Sequence, residues 1–137
     1  MRKPSDEAAE GTFILLSSIL LSVLYYLVVE SRVFIELSIF KNKVDALGGV
    51  ELLKAIQIET LKDPTKGDIV QGAGGIRKIR IARAKSGKSG GYRVFYLDLP
   101  EKGQTYLMTI LDKRDSENIS NEEKVLLKNF AKKIREK

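Results

Sequence analysis

The chain has 137 residues, enough for one modest core, and its 43% hydrophobic and 31% charged residues exclude wholesale disorder. It carries 24 Lys+Arg against 18 Asp+Glu, a net charge of +6; such a field favours RNA, DNA, an acidic protein or an anionic membrane surface. Neither Cys nor His occurs, which excludes disulfides, thiolate chemistry and every Ser-His or Cys-His triad and leaves any catalysis to Lys, Arg, Asp, Glu, Tyr or Ser.

Four acids (Asp6, Glu7, Glu10, Glu30) but only three bases (Arg2, Lys3, Arg32) precede Val33, so the basic excess lies entirely beyond it. Between those charges, Gly11 to Val29 is an uncharged run of 19 residues, close to the roughly 20 that span a bilayer as a helix. It makes a poor signal peptide, because the charges before it are mixed and no small-residue cleavage pattern follows. Three readings fit it: a membrane anchor over residues 11–29, a helix buried on the domain or a partner, or non-native translation upstream of the true start. Nineteen uncharged residues without Pro predict a helix from about Ala8 to Val29 in an apolar setting. Residues 1–32 are accordingly set apart as an apolar extension, and residues 33–137 as the domain.

From Val33 the pattern becomes regular. Val33–Leu37 is a short β-prone run. Leu37, Phe40, Val44 and Leu47 then mark one face of a short helix, which Gly48-Gly49 stops. Val50 to Lys62 predicts a second helix with Leu53, Ile56 and Leu61 inward, closed by Asp63-Pro64. Three strand-like runs follow, around Ile76–Ile81, Tyr92–Leu99 and Thr105–Leu111, the last two joined by a turn at Pro100–Gly103. Ser120-Asn-Glu-Glu123 matches a capping box, and Leu127, Phe130, Ala131 and Ile134 mark a closing helix. The order β-α-α-β-β-β-α predicts an α+β fold with a small antiparallel sheet.

Ala82–Ser89 loosely fits a phosphate-binding loop, with Ala in the first Gly position. That mechanism needs a helix starting at the Lys, whereas here Ser89-Gly90-Gly91 and a strand follow, so nucleotide hydrolysis is set aside. The stronger feature is positive charge without acid from Arg77 to Arg93: Arg77, Lys78, Arg80, Arg83, Lys85, Lys88 and Arg93. Strand alternation places Lys78 and Arg80 opposite Ile79 and Ile81, on a wet face, with Arg77 near the edge. Glycines on either side suit close approach to a phosphodiester backbone. The bland alternative is a solvated sheet face. Lys113-Arg114, past the last strand, is a second basic point, and Tyr92, Tyr96 and Tyr106 offer aromatic faces that are more often core. Asp112, Asp115 and Glu117 are interleaved with Lys113 and Arg114 and suggest no metal site; no cofactor is implied.

Three segments carry a resemblance: Val33-Phe-Ile-Glu-Leu37 with Phe40; Gly67-Asp-Ile-Val-Gln-Gly-Ala-Gly-Gly-Ile-Arg-Lys-Ile-Arg-Ile-Ala82; and Gly87-Lys-Ser-Gly-Gly-Tyr-Arg-Val-Phe-Tyr96. They resemble the HigB branch of the RelE toxin superfamily over about 105 residues. The resemblance implies a RelE-like fold and a cytoplasmic, ribosome-dependent endoribonuclease that cuts mRNA. It also implies a cognate antitoxin, often of helix-turn-helix type. It makes Arg77, Lys78, Arg80 and Arg93 the catalytic candidates, with Arg83, Lys85, Lys88, Lys113 and Arg114 binding flanking RNA. RelE has a catalytic Tyr shortly after the last basic pair, where this chain has Asn118-Ile-Ser120, so the general base stays open. The chemistry is compatible: in-line attack of a 2′-OH needs orientation and stabilisation of a highly charged phosphorane, which Arg and Lys supply without metal. A Lys crowded by cations can trade protons, and Lys78 is the candidate. The alternative is a non-catalytic nucleic-acid or partner-binding module, membrane-anchored if residues 11–29 are an anchor; it gains ground if no proton acceptor lies near the arginines.

Residues 33–137 expressed without antitoxin are expected to fold and arrest growth. Insolubility, or toxicity only with residues 1–32 attached, would make the apolar segment part of the functional unit.

Overall fold

The computed structural model describes residues 16–23, 32–83, 91–116 and 118–137. The chain divides into two compact units, residues 1–31 and 32–137. Of the first, residues 16–23 are helical and mostly exposed; the rest of the helix expected over residues 8–29 lies outside the described residues. Among the described residues, no helix is long and apolar enough to cross a membrane.

The second unit is α+β. Its elements run β1 (Val33–Glu36), α1 (Ser38–Leu47), α2 (Gly49–Lys62), β2 (Asp68–Ile69), β3 (Arg77–Ala82), β4 (Gly91–Leu99), a 3-10 turn (Pro100–Lys102), β5 (Gln104–Asp112) and α3 (Asn121–Glu136). The strands form one sheet in the order β1-β5-β4-β3-β2. The β2–β3, β3–β4 and β4–β5 pairs are the expected antiparallel meander. Strand β1 adds a parallel edge against β5, a pairing that needs a long crossover and that no local pattern in Val33–Leu37 reveals. Strand β2 was not read from the sequence, because two residues are too few to show alternation.

Two cores form, one on each side of the sheet. Phe40 and Val44 of α1 and Leu52 and Ile56 of α2 pack on Ile79, Ile81, Val94 and Tyr96. The inward face of α2 is Leu52, Ile56 and Thr60, one residue round from the expected Leu53/Ile56/Leu61 stripe. Gly48 permits this, since a Cβ there would come within 2.8 Å of Leu52 Cβ. Behind the sheet, Leu127, Ala131 and Ile134 of α3 cover Phe95, Leu97, Leu99 and Met108. Phe130, expected inward, is 41% exposed, because the covered stripe runs i, i+4, i+7 from Leu127 and leaves it at the rim. Ser120 caps α3, accepting a hydrogen bond from the Glu123 backbone N–H at 3.1 Å.

Two sets of polar contacts tie neighbouring segments to the sheet. Arg32 donates to Asp98 at 3.1 Å, and Thr105 donates to the same oxygen at 2.7 Å. The buried Tyr96 hydroxyl donates to Pro64 O at 2.8 Å and accepts from the Gly67 N–H at 3.1 Å. Burial pushes the Tyr96 phenol up, which keeps it protonated as that donor. It thereby ties the α2–β2 loop to the sheet. Tyr96→Phe strands two polar groups and is expected to cost about 1–3 kcal/mol, read as a lowered Tm with the fold retained.

Candidate functional site

Strand β3 buries Ile79 and Ile81 toward the α1–α2 side, so Lys78 and Arg80 project from the α3 side of the sheet. The β3–β4 register sets Arg80 directly opposite Arg93 and Lys78 opposite Phe95. Three cations thus share one face. Like charges placed directly across a sheet destabilise it. Among the described residues, no carboxylate forms an ion pair with any of the three. Helix α3 covers Phe95 but leaves this patch open.

The open patch is a groove. A cavity of about 540 Å³ is lined by Lys66, Gly67, Asp68, Lys78, Ile79, Arg80 and Arg93. A neighbouring one of about 390 Å³ shares Lys78 and is lined further by Val70, Gln71, Phe95, Asn118, Asn121 and Lys124. The α2–β2 loop supplies one wall, and its position depends on Gly67. A Cβ at Gly67 would meet the Tyr96 hydroxyl at 2.7 Å and Lys78 O at 2.9 Å. Sequence reading missed Lys66, Asp68, Gln71, Asn121 and Lys124. The only available signal was the Gly67-Asp68 turn after Asp63-Pro64, and it carries no periodicity.

The other candidate residues fall elsewhere. Arg77 shares the parity of Ile79 and donates through Nη1 to Thr65 O at 3.1 Å and Gly67 O at 2.8 Å, so it holds the loop that forms the groove wall. Arg83, also on the α1–α2 side by parity, lies over the Tyr92 ring at 4.6 Å and donates to Asp112 at 2.5 Å. Arg114 grips the same carboxylate with its guanidinium, at 3.0 Å to Oδ2, and with its backbone N–H, at 3.0 Å to Oδ1. Asp112 therefore binds both arginines, although Arg114 keeps a side chain 65% exposed. Lys113 is half-buried at the turn, its backbone N–H bonded to Gly91 O at 3.0 Å. Lys85, Lys88 and most of the loose phosphate-loop match lie outside the described residues. Tyr92 and Tyr96 are core residues, and Tyr106 is half-buried beside the other core.

The groove on the sheet of this small α+β protein is lined by Lys78, Arg80 and Arg93, none of them ion-paired among the described residues. Residues 32–137 match the family model described as the RelE toxin of the RelE/RelB toxin–antitoxin system, and the chain belongs to that family. Among solved structures, it is similar to a free-state mutant of the E. coli toxin RelE, with 21% identity over 63% of this chain and 87% of that one and a TM-score of 0.47. It is similar also to the intact E. coli RelBE toxin–antitoxin complex, with 22% identity over 58% of this chain and 94% of that one and a TM-score of 0.45.

The Asp112 clamp makes a pH prediction. Hydrogen bonding from Arg114 and then Arg83 holds the Asp112 carboxyl well below the usual range, against the opposing effect of burial. A carboxyl lowered in the folded state stabilises the fold above its unfolded value, near 3.9, and loses that contribution as the pH falls below it. Asp112→Asn is therefore expected to cost about 1–3 kcal/mol at neutral pH. The Tm gap to wild type should narrow steadily as the pH drops below about 4; a gap that does not change with pH would mean that the charge on Asp112 is not what holds the two arginines.

Proposed function

We propose that this RelE-family chain is the mRNA endoribonuclease of a toxin–antitoxin pair, cutting translated message at the ribosome and inhibited by a cognate antitoxin of helix-turn-helix type. The observation that carries this reading is the Arg80–Arg93 pair with Lys78 beside it: three cations on one face, two of them directly opposed, with no ion-pairing carboxylate among the described residues. A fold tolerates such repulsion where an anion relieves it, and a phosphodiester does so.

The chemistry follows from the side chains. Arg80 and Arg93 would each present planar donors to the non-bridging phosphate oxygens, holding the phosphorus in line with the 2′-OH and stabilising the phosphorane as charge builds. Lys78, crowded by both, would supply a proton to the leaving oxygen. Arg77 would act indirectly by fixing the groove wall. Lys113 and the exposed Arg114, with Lys85 and Lys88, would bind flanking RNA or rRNA. Charge stabilisation comes in this scheme from side chains, so cleavage would proceed without a metal. The setting would be the cytoplasm, where ribosomes and message are found.

Lys78→Ala and Arg80→Ala are each expected to slow cleavage about a hundred- to thousand-fold, the roughly 2.7–4 kcal/mol attached to one preorganised donor. Growth arrest should be released. Arg80→Ala should also leave Tm unchanged or raise it slightly, because a like-charge pair is removed. Lys128→Ala, on the exposed side of α3, should stay within about 0.5 kcal/mol in stability and remain toxic. Primer extension on a translated message, beside melting curves, reads all three. Variants of Lys78 and Arg80 that still cut would remove the active site from this face.

A further inference from the structure

We propose that Asp68 is the general base of the cleavage reaction, the group that takes the proton from the attacking 2′-OH of RNA; this rests on the nuclease reading above. Asp68 stands directly opposite Lys78 in the β2–β3 pair, and directly opposed residues share a sheet face. It is exposed and lines the same cavity as Lys66, Lys78, Arg80 and Arg93, where it is the one carboxylate among the lining residues. Among the described residues, no hydrogen bond or ion pair engages that carboxylate.

Its backbone is held in place. The preceding Gly67 donates its N–H to Tyr96 and accepts from Arg77 through its carbonyl at 2.8 Å. Two other proton acceptors of the sheet, Asp112 and Tyr96, are occupied. Asp112 has both oxygens engaged by Arg83 and Arg114, and the Tyr96 hydroxyl is buried and committed to Pro64. A carboxylate in a groove for RNA repels the backbone it must bind, so it is a defect in a surface that only binds. In a site that must remove a proton it is the missing part.

The step balances. Asp68 accepts the 2′-OH proton as the 2′-oxygen forms its bond to phosphorus. The bond from phosphorus to the 5′-oxygen breaks, and that oxygen leaves with a proton from the Lys78 ammonium. The products are a 2′,3′-cyclic phosphate and a 5′-hydroxyl, and exchange with water resets both side chains. The charged groups facing Asp68 are Lys66 from the α2–β2 loop, Lys78 and Arg80 from β3, and Arg93 from β4. Lys124 of α3 lines the adjoining cavity.

The test compares the full-length wild type with Asp68→Asn, Asp68→Glu and Asp68→Ser. Single-turnover cleavage of a ribosome-bound message is measured, together with binding of a short RNA that carries a 2′-deoxy sugar at the cleavage site. Asp68→Asn and Asp68→Ser should cut about 10²- to 10⁴-fold more slowly and lose the acidic limb of the pH–rate profile. Both should bind the uncleavable RNA as tightly as wild type or more tightly, since a repulsive charge is gone, at unchanged Tm. Asp68→Glu should recover part of the rate. Cleavage by Asp68→Asn at the wild-type rate, or a loss that tracks weakened RNA binding, overturns the assignment alone. A wild-type protein that binds RNA but never cuts it overturns the nuclease reading and this assignment together.

Discussion

The alternation of strand β3 is the constraint on which the rest depends. Ile79 and Ile81 must be buried under α1 and α2, and a period of two then commits Lys78 and Arg80 to the other face. The register with β4 adds Arg93 directly across from Arg80. A one-residue slip would bury the cations and expose the isoleucines, so the hydrophobic core and the charged groove are fixed by the same pairing. The repulsion that results is stored in a sheet that burial on both faces makes stable enough to carry it.

The fold treats its cations in two ways. Arg83 and Arg114 are neutralised by Asp112, while Arg77 is spent on backbone carbonyls of a loop. These are structural solutions: a charge with a partner in fixed geometry stabilises the chain end or turn that it anchors. Lys78, Arg80 and Arg93 have no such partner among the described residues. The difference divides a uniformly basic stretch into a scaffold and a candidate site, and it lies in the partners, not in the residue types.

The groove depends on parts that are small in the fold. Strand β2 has two residues, yet it sets Asp68 beside Lys78. Tyr96 lies in the core, but its hydroxyl positions the loop that walls the site. Helix α3 covers one end of the sheet face and leaves the other open. Membership in the RelE toxin family and the lack of histidine are compatible with the proposed cleavage, in which Arg80 and Arg93 would hold the phosphate and Asp68 and Lys78 would move the protons.

The sequence by itself determined the order of the helices and of every strand but β2, most of both cores and the wet side of β3. These follow from local periodicity: Phe40 and Val44 on one helix face, Ile79 and Ile81 on one strand face, and Ser120 with Glu123 at a helix start. It also placed the positive charge in one stretch, and its motifs pointed to the RelE toxin family, to which the chain belongs. What it could not supply was contact between distant segments. The parallel pairing of β1 with β5, the exposure of Phe130 and the grip of Asp112 on Arg83 all join residues with no local signal between them. The entry of Lys66 and Asp68 into the groove was decided the same way. A two-residue strand has no period to read, and whether a given arginine meets a carboxylate or open water is settled only when the sheet register brings the segments together.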